Sequence, residues 1–346
     1  MAKAAITIVT WNSMKHLPET LASVFAQTHE DRTVLIVDNA SSDGTIGFVR
    51  ERYPQAVILR NSKNLGFARA HNQGITYART HLAVPGEELY VMVTNPDLIL
   101  DPGYLETLIR ALESRLDAGS AGGKLLRAFI KGEGELREPV LSGTFDSTGM
   151  RLARSRRTVE RGAGEHDDGS VFGRTEEVFG VTGAAALYRL RALQDVAYRD
   201  EYFDEDFFAY KEDVDLAWRL RLRGWEALYV PAARAYHYRT AYGADRSSFR
   251  ETVRNRRHRS GLVRRLSYRN HLLMLLKNEH LINLLLHLPL ILWYELRKLV
   301  YLAVFEPRTL VAWGELFRLL PRMIAKRRLA MARAEVDARS IRRWFG

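Results

Sequence analysis

Four short apolar runs, separated by helical patterns, constrain the first hundred residues more tightly than any other feature of the chain. Ala4–Thr10, Thr33–Val37, Ala56–Leu59 and Tyr90–Thr94 are rich in Val, Ile and Leu and read as buried strands. Leu17–Ala26, Gly44–Arg52 and Phe67–Arg79 read as the helices between them. Pro18 and Pro102 fall where a first helical turn begins, and Asp43 can cap the second helix. Strand–helix–strand units in succession imply an α/β fold, Rossmann-like, with a mostly parallel sheet and helices on both faces. In such sheets ligands bind beyond the carboxyl ends of the strands. Here those ends carry Thr10-Trp11-Asn12, Asp38-Asn39, Asn61 and Asn95-Pro96-Asp97, which together describe a polar cleft.

Past this region the pattern weakens. Gly119–Gly173 is Gly-rich and charged, with Arg151–Arg161 reading as an exposed hairpin and Gly162–Gly169 as a loop. Glu177–Tyr188 resumes as a strand, with Gly183 allowing close backbone approach. Asp213–Arg223 has a helical apolar face ended by Gly224, and Trp225–Val230 reads as a strand closed by Pro231. Just before that helix, six carboxylates fall within twelve residues: Asp204, Glu205, Asp206, Glu212, Asp213 and Asp215. Phe203, Phe207, Phe208 and Tyr210 are threaded among them. Carboxylates packed against rings are partly desolvated, which suits base or metal-ligand work. The same cluster also suits a plain acidic helix start, favoured by the helix dipole.

Charge divides the chain in two. Residues 246–346 hold 22 Lys/Arg against 7 Asp/Glu, leaving 30 against 34 for residues 1–245. A mildly acidic body thus carries a strongly basic tail, and such asymmetry points to a polyanionic partner. The chain has no cysteine, which excludes disulfides and thiolate metal sites and fits a reducing compartment. The first residues run straight into a strand without a signal-peptide layout, so the cytoplasm is the expected location.

Seven motifs occur in an order that resembles glycosyltransferase family 2, inverting enzymes with a GT-A fold, and its rhamnosyltransferase-like branch in particular. They are Ile8-Val-Thr-Trp-Asn12, Ile36-Val-Asp-Asn-Ala-Ser-Ser-Asp-Gly-Thr45, Asn64-Leu-Gly-Phe-Ala68, Asn95-Pro-Asp97, Gly183-Ala, Phe208-Ala-Tyr-Lys-Glu-Asp-Val-Asp-Leu216 and His237. The resemblance spans roughly residues 4–243 and implies a catalytic domain over 1–243 followed by a helical tail over 244–346. It implies a nucleotide-sugar donor pocket from Thr10, Trp11, Asn12 and Asp38, continued by Asn64, Gly66, Phe67 and Asn72. Arg69 is placed to face a diphosphate, and is equally suited to be a solvated helix arginine. Asp38 has an alternative as a turn or cap residue. Asn95-Pro-Asp97 stands where the family has its metal motif, with Asn95 in place of the first Asp. Asp97 and the later His237 are then the expected ligands of Mg²⁺ or Mn²⁺, which would neutralise the leaving diphosphate. Asp213 corresponds to the base that takes the acceptor hydroxyl proton, with Glu212 in support. Asp215, Asp204 and Glu205 are assigned to architecture.

The tail bears on the acceptor. Leu281–Tyr294 is fourteen uncharged residues, short of the about 20 that a spanning helix needs. Trp293, Tyr294, Tyr301 and Trp313, with flanking arginines, suit helices lying on an anionic membrane surface. A helical subdomain packed on the body, or a homo-oligomer interface, fits the same residues. The expectation is therefore transfer of a hexose, L-rhamnose from dTDP-rhamnose as first choice, to a membrane-anchored, lipid-linked saccharide at the inner face of the cell membrane. A UDP-linked hexose, N-acetylhexosamine or galactofuranose is the alternative donor. A nucleic-acid-binding arm and a non-catalytic scaffold are rival classes, but neither accounts for the strand-end motifs; no nucleic-acid partner is expected.

Overall fold

The computed structural model describes residues 2–132, 138–238 and 260–346. Its centre is a ten-stranded mixed sheet. Strand β1 (Lys3–Thr10) pairs in parallel with β2 (Arg32–Asp38) and β4 (Leu89–Thr94), and β3 (Val57–Arg60) extends the sheet beyond β2. The crossovers are helices α1 (Leu17–Phe25), α2 (Thr45–Arg52) and α3 (Gly66–His81). Side-chain alternation assigns the faces. Ile6, Ile36 and Met92 pack with Leu17, Leu21 and Val24 of α1 and with Leu105, Leu108 and Leu112 of α4 (Tyr104–Glu113). Their neighbours Ala5, Leu35, Val91 and Val93 pack on the opposite face with Ala68, Ile75 and Ala78 of α3. Register is fixed by these two buried faces, because a one-residue slip would exchange them.

The sheet's second half sets the site. Strand β11 (Ala185–Arg189) runs antiparallel between β4 and β6 (Ala118–Lys131), and β12 (Glu226–Tyr238) runs parallel to β6. Strand β7 (Glu138–Ser147) pairs with β6, and the short β5 (Leu98–Leu100) pairs antiparallel with β12, setting Leu98 opposite His237. Two sequence expectations are corrected here. Pro231 does not close a strand: β12 continues to Tyr238, and its register shifts between Val230 and Arg234, an irregularity that accommodates a residue lacking an N–H. Residues 177–188 are two strands, β10 (Glu176–Val178) and β11, because the chain between them leaves the sheet to carry Gly183 to Asp213.

Helix α5 (Leu190–Asp195) follows β11, and α6 (Glu212–Leu222) starts inside the acidic cluster. The tail comprises α7 (Gly261–Asn278), α8 (Leu281–Phe305), α9 (Ala312–Ala332) and α10 (Ala338–Arg342). It shares a core with the body: Leu273, Met274, Met323, Ile341 and Phe345 pack against Phe207, Val214, Trp218 and Leu222. The hairpin of β8 (Met150–Leu152) and β9 (Thr158–Glu160), expected to be exposed, has its turn residue Arg156 buried under the tail. Arg156 pairs with Glu279 and lies 3.7 Å from the Phe345 ring centroid. The 243/244 boundary and the arginines of 246–259 lie outside the described residues.

Packing leaves one side of α8 uncovered. Trp313 and Tyr294 lie against Tyr268 and His271, and Tyr301 bonds Glu306. Leu281, Ile282, Leu285, Leu286, Leu292 and Trp293 of α8 remain exposed. Among the described residues no helix is long and apolar enough to cross a membrane.

Candidate active site

The strand ends line one edge of the sheet, where the sequence places the donor pocket. Thr10 and Asp38 are paired in register at the carboxyl ends of β1 and β2, and the Thr10 hydroxyl donates to Asp38 Oδ1 at 3.0 Å. Asp38 Oδ2 accepts from Ser41 N at 3.2 Å, so the carboxylate shapes the turn after β2 as well as facing the strand ends. Trp11, 58% exposed, stands at the rim. Asn12 has φ 50°, and its side-chain Oδ1 accepts from Ser42 N at 2.8 Å, stitching the two strand-end loops together. Asn39 Nδ2 donates to Gly66 O, and Asn64 Oδ1 accepts from Gly66 N at 2.8 Å, which joins β2 to the start of α3.

A second group forms where β5 meets β12. His237 Nε2 lies 3.2 Å from Asp97 Oδ1, and its Nδ1 lies 2.9 Å from the buried Asp146 of β7. With the ring proton on Nδ1, toward Asp146, the Nε2 lone pair would turn outward, the arrangement usual for a ligating imidazole. Lone pair then faces carboxylate, and such a contact is stable only with a proton or a cation between them. The oxygen and nitrogen donors therefore fit a divalent ion of the Mn²⁺ kind. Asp146 was missed by sequence reasoning. It lies in the weakly patterned stretch, and only the pairing of β7 with β6 brings it to His237.

The third group is the acidic wall. Asp213, half-buried in the first turn of α6, accepts from Gly183 N at 3.2 Å and Val214 N at 2.8 Å. At Gly183 a Cβ would sit 3.2 Å from Asp213 Cβ and 3.3 Å from the Phe67 ring, so a side chain there would press on Asp213 and Phe67. Asn95 N donates to Ala184 O at 2.8 Å, so the segment Gly183–Ala184 links the Asn95–Asp97 corner to Asp213. Gly66 has φ +82°, and a Cβ there would lie 2.5 Å from Phe208 O. That close approach lets Ala68 N donate to Phe208 O at 3.1 Å, bringing the start of α3 against the wall. Glu212 is buried with Oε2 lacking a partner among the described residues; burial first, then Asp213, raises its carboxyl well above the ordinary range.

The remaining sequence candidates lie apart from this centre. Asn72 is buried and bonds Phe203 through both backbone N and O, each at 2.8 Å, so it braces the wall. Arg69 lies 3.6 Å from Glu205 on the surface. Glu201, Asp204 and Asp206 cluster closely enough for a metal, but Lys326 Nζ occupies their centre, 2.7 Å from Glu201 and 2.9 Å from Asp206. Lys326, Lys277 and Arg322 together already pair with its three carboxylates. Asp215 is buried against Arg219, Lys277 and Asn278.

A sheet with parallel strands ending at one edge, a carboxylate–histidine corner and an acidic helix start define a sugar-transfer fold of the GT-A type. Residues 5–196 match Glycosyl transferase family 2, and residues 153–315 match Glycosyl transferase family group 2. The chain is 30% identical over 241 residues to the N-acetylglucosaminyl-diphospho-decaprenol L-rhamnosyltransferase of Mycobacterium tuberculosis, covering 68% of this chain and 75% of that one. It is 29% identical over 258 residues to the rhamnosyltransferase WbbL of Escherichia coli K12, covering 67% and 87%. Among solved structures, GalNAc-T7 with UDP, GalNAc and Mn²⁺ shares the fold at TM-score 0.56 and 12% identity over 79% of this chain, which spans 48% of that one. The chain belongs to glycosyl transferase family 2, in its rhamnosyltransferase-like branch, and is a glycosyltransferase.

Proposed function

We propose that the chain transfers a hexosyl residue, L-rhamnose from dTDP-L-rhamnose as first choice, to a hydroxyl of a lipid-linked saccharide, with inversion. The observation that carries the reading is Asp213: a half-buried carboxylate fixed by Gly183 N–H, one residue from the link to Asn95. In a single displacement the acceptor oxygen attacks the anomeric carbon while its proton passes to Asp213, and the bond to the diphosphate oxygen breaks. Thr10, Trp11, Asn12 and Asp38 would receive the nucleoside, with Asn64, Gly66 and Phe67 closing that side. Asp97 and His237 would hold Mg²⁺ or Mn²⁺, which when bound supplies charge neutralisation at the leaving diphosphate. Asn95 would present its amide at the same corner. Glu212, whose carboxyl is shifted toward the protonated form by burial and then by Asp213, would support Asp213 and leave it to take the proton.

The rhamnosyl choice and the lipid-linked acceptor rest on the relatives' activities; a UDP-linked sugar is the alternative donor. The exposed apolar side of α8, on a basic tail, supports an anionic membrane surface as partner, with the protein peripheral at the inner face of the cell membrane. The test is a turnover screen of dTDP-, UDP- and GDP-linked sugars with and without Mn²⁺. Release of dTDP from dTDP-L-rhamnose, lost by roughly 10²–10⁴-fold in Asp213→Asn, is the expected result. Unchanged release in that variant sinks the base assignment. Flotation with anionic vesicles tests the surface: binding weakened by Leu285→Asp is expected, whereas a stable dimer that ignores vesicles would assign the face to a second copy.

A further inference from the structure

The wall that delivers Asp213 is built on an unfavourable backbone. Phe208, Tyr210 and Lys211 all have positive φ, at 64°, 72° and 73°, and none is glycine. Phe208, with ψ −64°, forms a tight turn in which Ala209 N donates to Phe207 O at 2.7 Å, a rare and strained geometry. Such residues persist only where their surroundings over-determine them. Lys211 immediately precedes Glu212 and Asp213, so the turn sets where α6 begins.

The tail supplies what holds this turn. Asn270, fully buried in α7, donates from Nδ2 to Phe207 O at 2.9 Å, Ala209 O at 2.9 Å and Tyr210 O at 2.7 Å. Two amide protons are thus shared among three carbonyls. Arg269 Nε donates to Asn270 Oδ1 at 3.0 Å, which fixes the amide with its nitrogen toward the turn. The same guanidinium donates from Nη2 to Asp206 O at 2.7 Å and Phe207 O at 3.2 Å, while its Nη1 is anchored on Glu315 of α9 at 2.7 Å. One dipeptide therefore donates to four carbonyls of the 206–210 segment, and Phe207 O also accepts from Ala209 N.

We propose that Asn270, oriented by Arg269, is a positioning residue for the transfer reaction: it holds the 207–210 turn in the shape that sets Asp213 against Gly183. The inference rests on Asp213 being the base. It also gives α7 a task separate from any membrane contact, and makes the tail part of the active unit.

The test uses the full chain and whichever donor the screen finds to be turned over. Asn270→Leu keeps the branched outline in a bulkier side chain and removes both donors; Asn270→Ser keeps one donor, adds no bulk and is the milder variant. For Asn270→Leu, kcat per nucleotide-binding site should fall about 10²-fold, as expected for a reacting group misplaced by about 1 Å, with KM for the donor within about threefold. Asn270→Ser should fall between. Placed on Asp213→Asn, the Asn270→Leu change should cost nothing further, because both act through one carboxylate. Unchanged kcat per binding site, or the same loss in both backgrounds, overturns the proposal. Wild-type turnover by Asp213→Asn overturns the base assignment instead. The turn is then judged by amide exchange of residues 205–216, where acceleration in Asn270→Ser supports the clamp and an unchanged rate refutes it.

Discussion

The strand-end edge and the acidic wall meet at Gly66 and Phe208 but are held in opposite ways. At the strand-end edge, backbone geometry does the holding: parallel strands end together, and short links such as Thr10–Asp38 and Asn12–Ser42 tie adjacent loops. At the wall, buried cations from the tail do it. Lys277 pairs with Asp204 and Asp215, and Lys326 with Glu201, Asp204 and Asp206, across separations of 62–125 residues. Asp204 shows the consequence. Burial alone would raise its carboxyl, yet Lys277 and Lys326 outweigh burial and hold it below the ordinary range. A site wall made of strained turns and buried carboxylates needs remote support, whereas strand ends in a packed sheet support themselves.

That contrast breaks most directly at Lys277. Lys277→Met removes one cation from a pair of buried carboxylates and should cost about 3 kcal/mol. This is the lower end for a broken buried pair, because Lys326 and Arg219 remain beside Asp204 and Asp215. Arg110→Met, which breaks the exposed pair with Glu106 near the strand-end half, should cost far less, because solvent screens that pair. Urea denaturation of both variants checks the difference, and equal losses would erase it.

Gly66 lies where the two walls meet. Gly66→Ala combines a left-handed backbone with a clash against Phe208 O, and should destabilise by roughly 2–3 kcal/mol while lowering turnover. Gly44 has a similar φ, +87°, but open space around it, so Gly44→Ala should cost only about 1 kcal/mol and spare activity. Thermal melts paired with turnover separate backbone strain from the Phe208 contact. If the two variants behave alike, the meeting of Gly66 and Phe208 carries no functional weight.

The same contrast explains what the sequence disclosed. Strands at 4–10, 33–37 and 90–94 and the polar residues ending them were readable because periodicity and strand-end chemistry are local. His237 and Asp97 were readable as residue types, but not the β5–β12 pairing that joins them, nor Asp146. Residues 260–270 read as part of a polybasic surface, because nothing local distinguishes Arg269-Asn270 from their neighbours. Their partners lie about sixty residues earlier, in a turn whose positive-φ residues are Phe, Tyr and Lys and not glycine. Lys277 and Lys326 were hidden likewise: a buried lysine and a solvated one look identical in sequence until the carboxylates around them are known.

The finest distinction lies within the wall itself, between Asp204 and Glu212. Asp204 is paired, and its folded carboxyl is lowered; its contribution is complete above the unfolded value near 3.8 and is lost on acidification. Glu212 is buried, and burial and then Asp213 outweigh Lys211, so its carboxyl is raised; its contribution is complete below the unfolded value near 4.5 and is lost as pH climbs through the folded value. Glutamine mimics the protonated acid at that position. Glu212→Gln and the wild-type chain should therefore have equal stability at acid pH, with the variant increasingly the more stable as pH rises. Urea midpoints at pH 5, 7 and 9 measure that gap. A gap that stays constant would show that Glu212 titrates as an ordinary surface acid, and with it would go the argument that it leaves Asp213 alone to take the acceptor's proton.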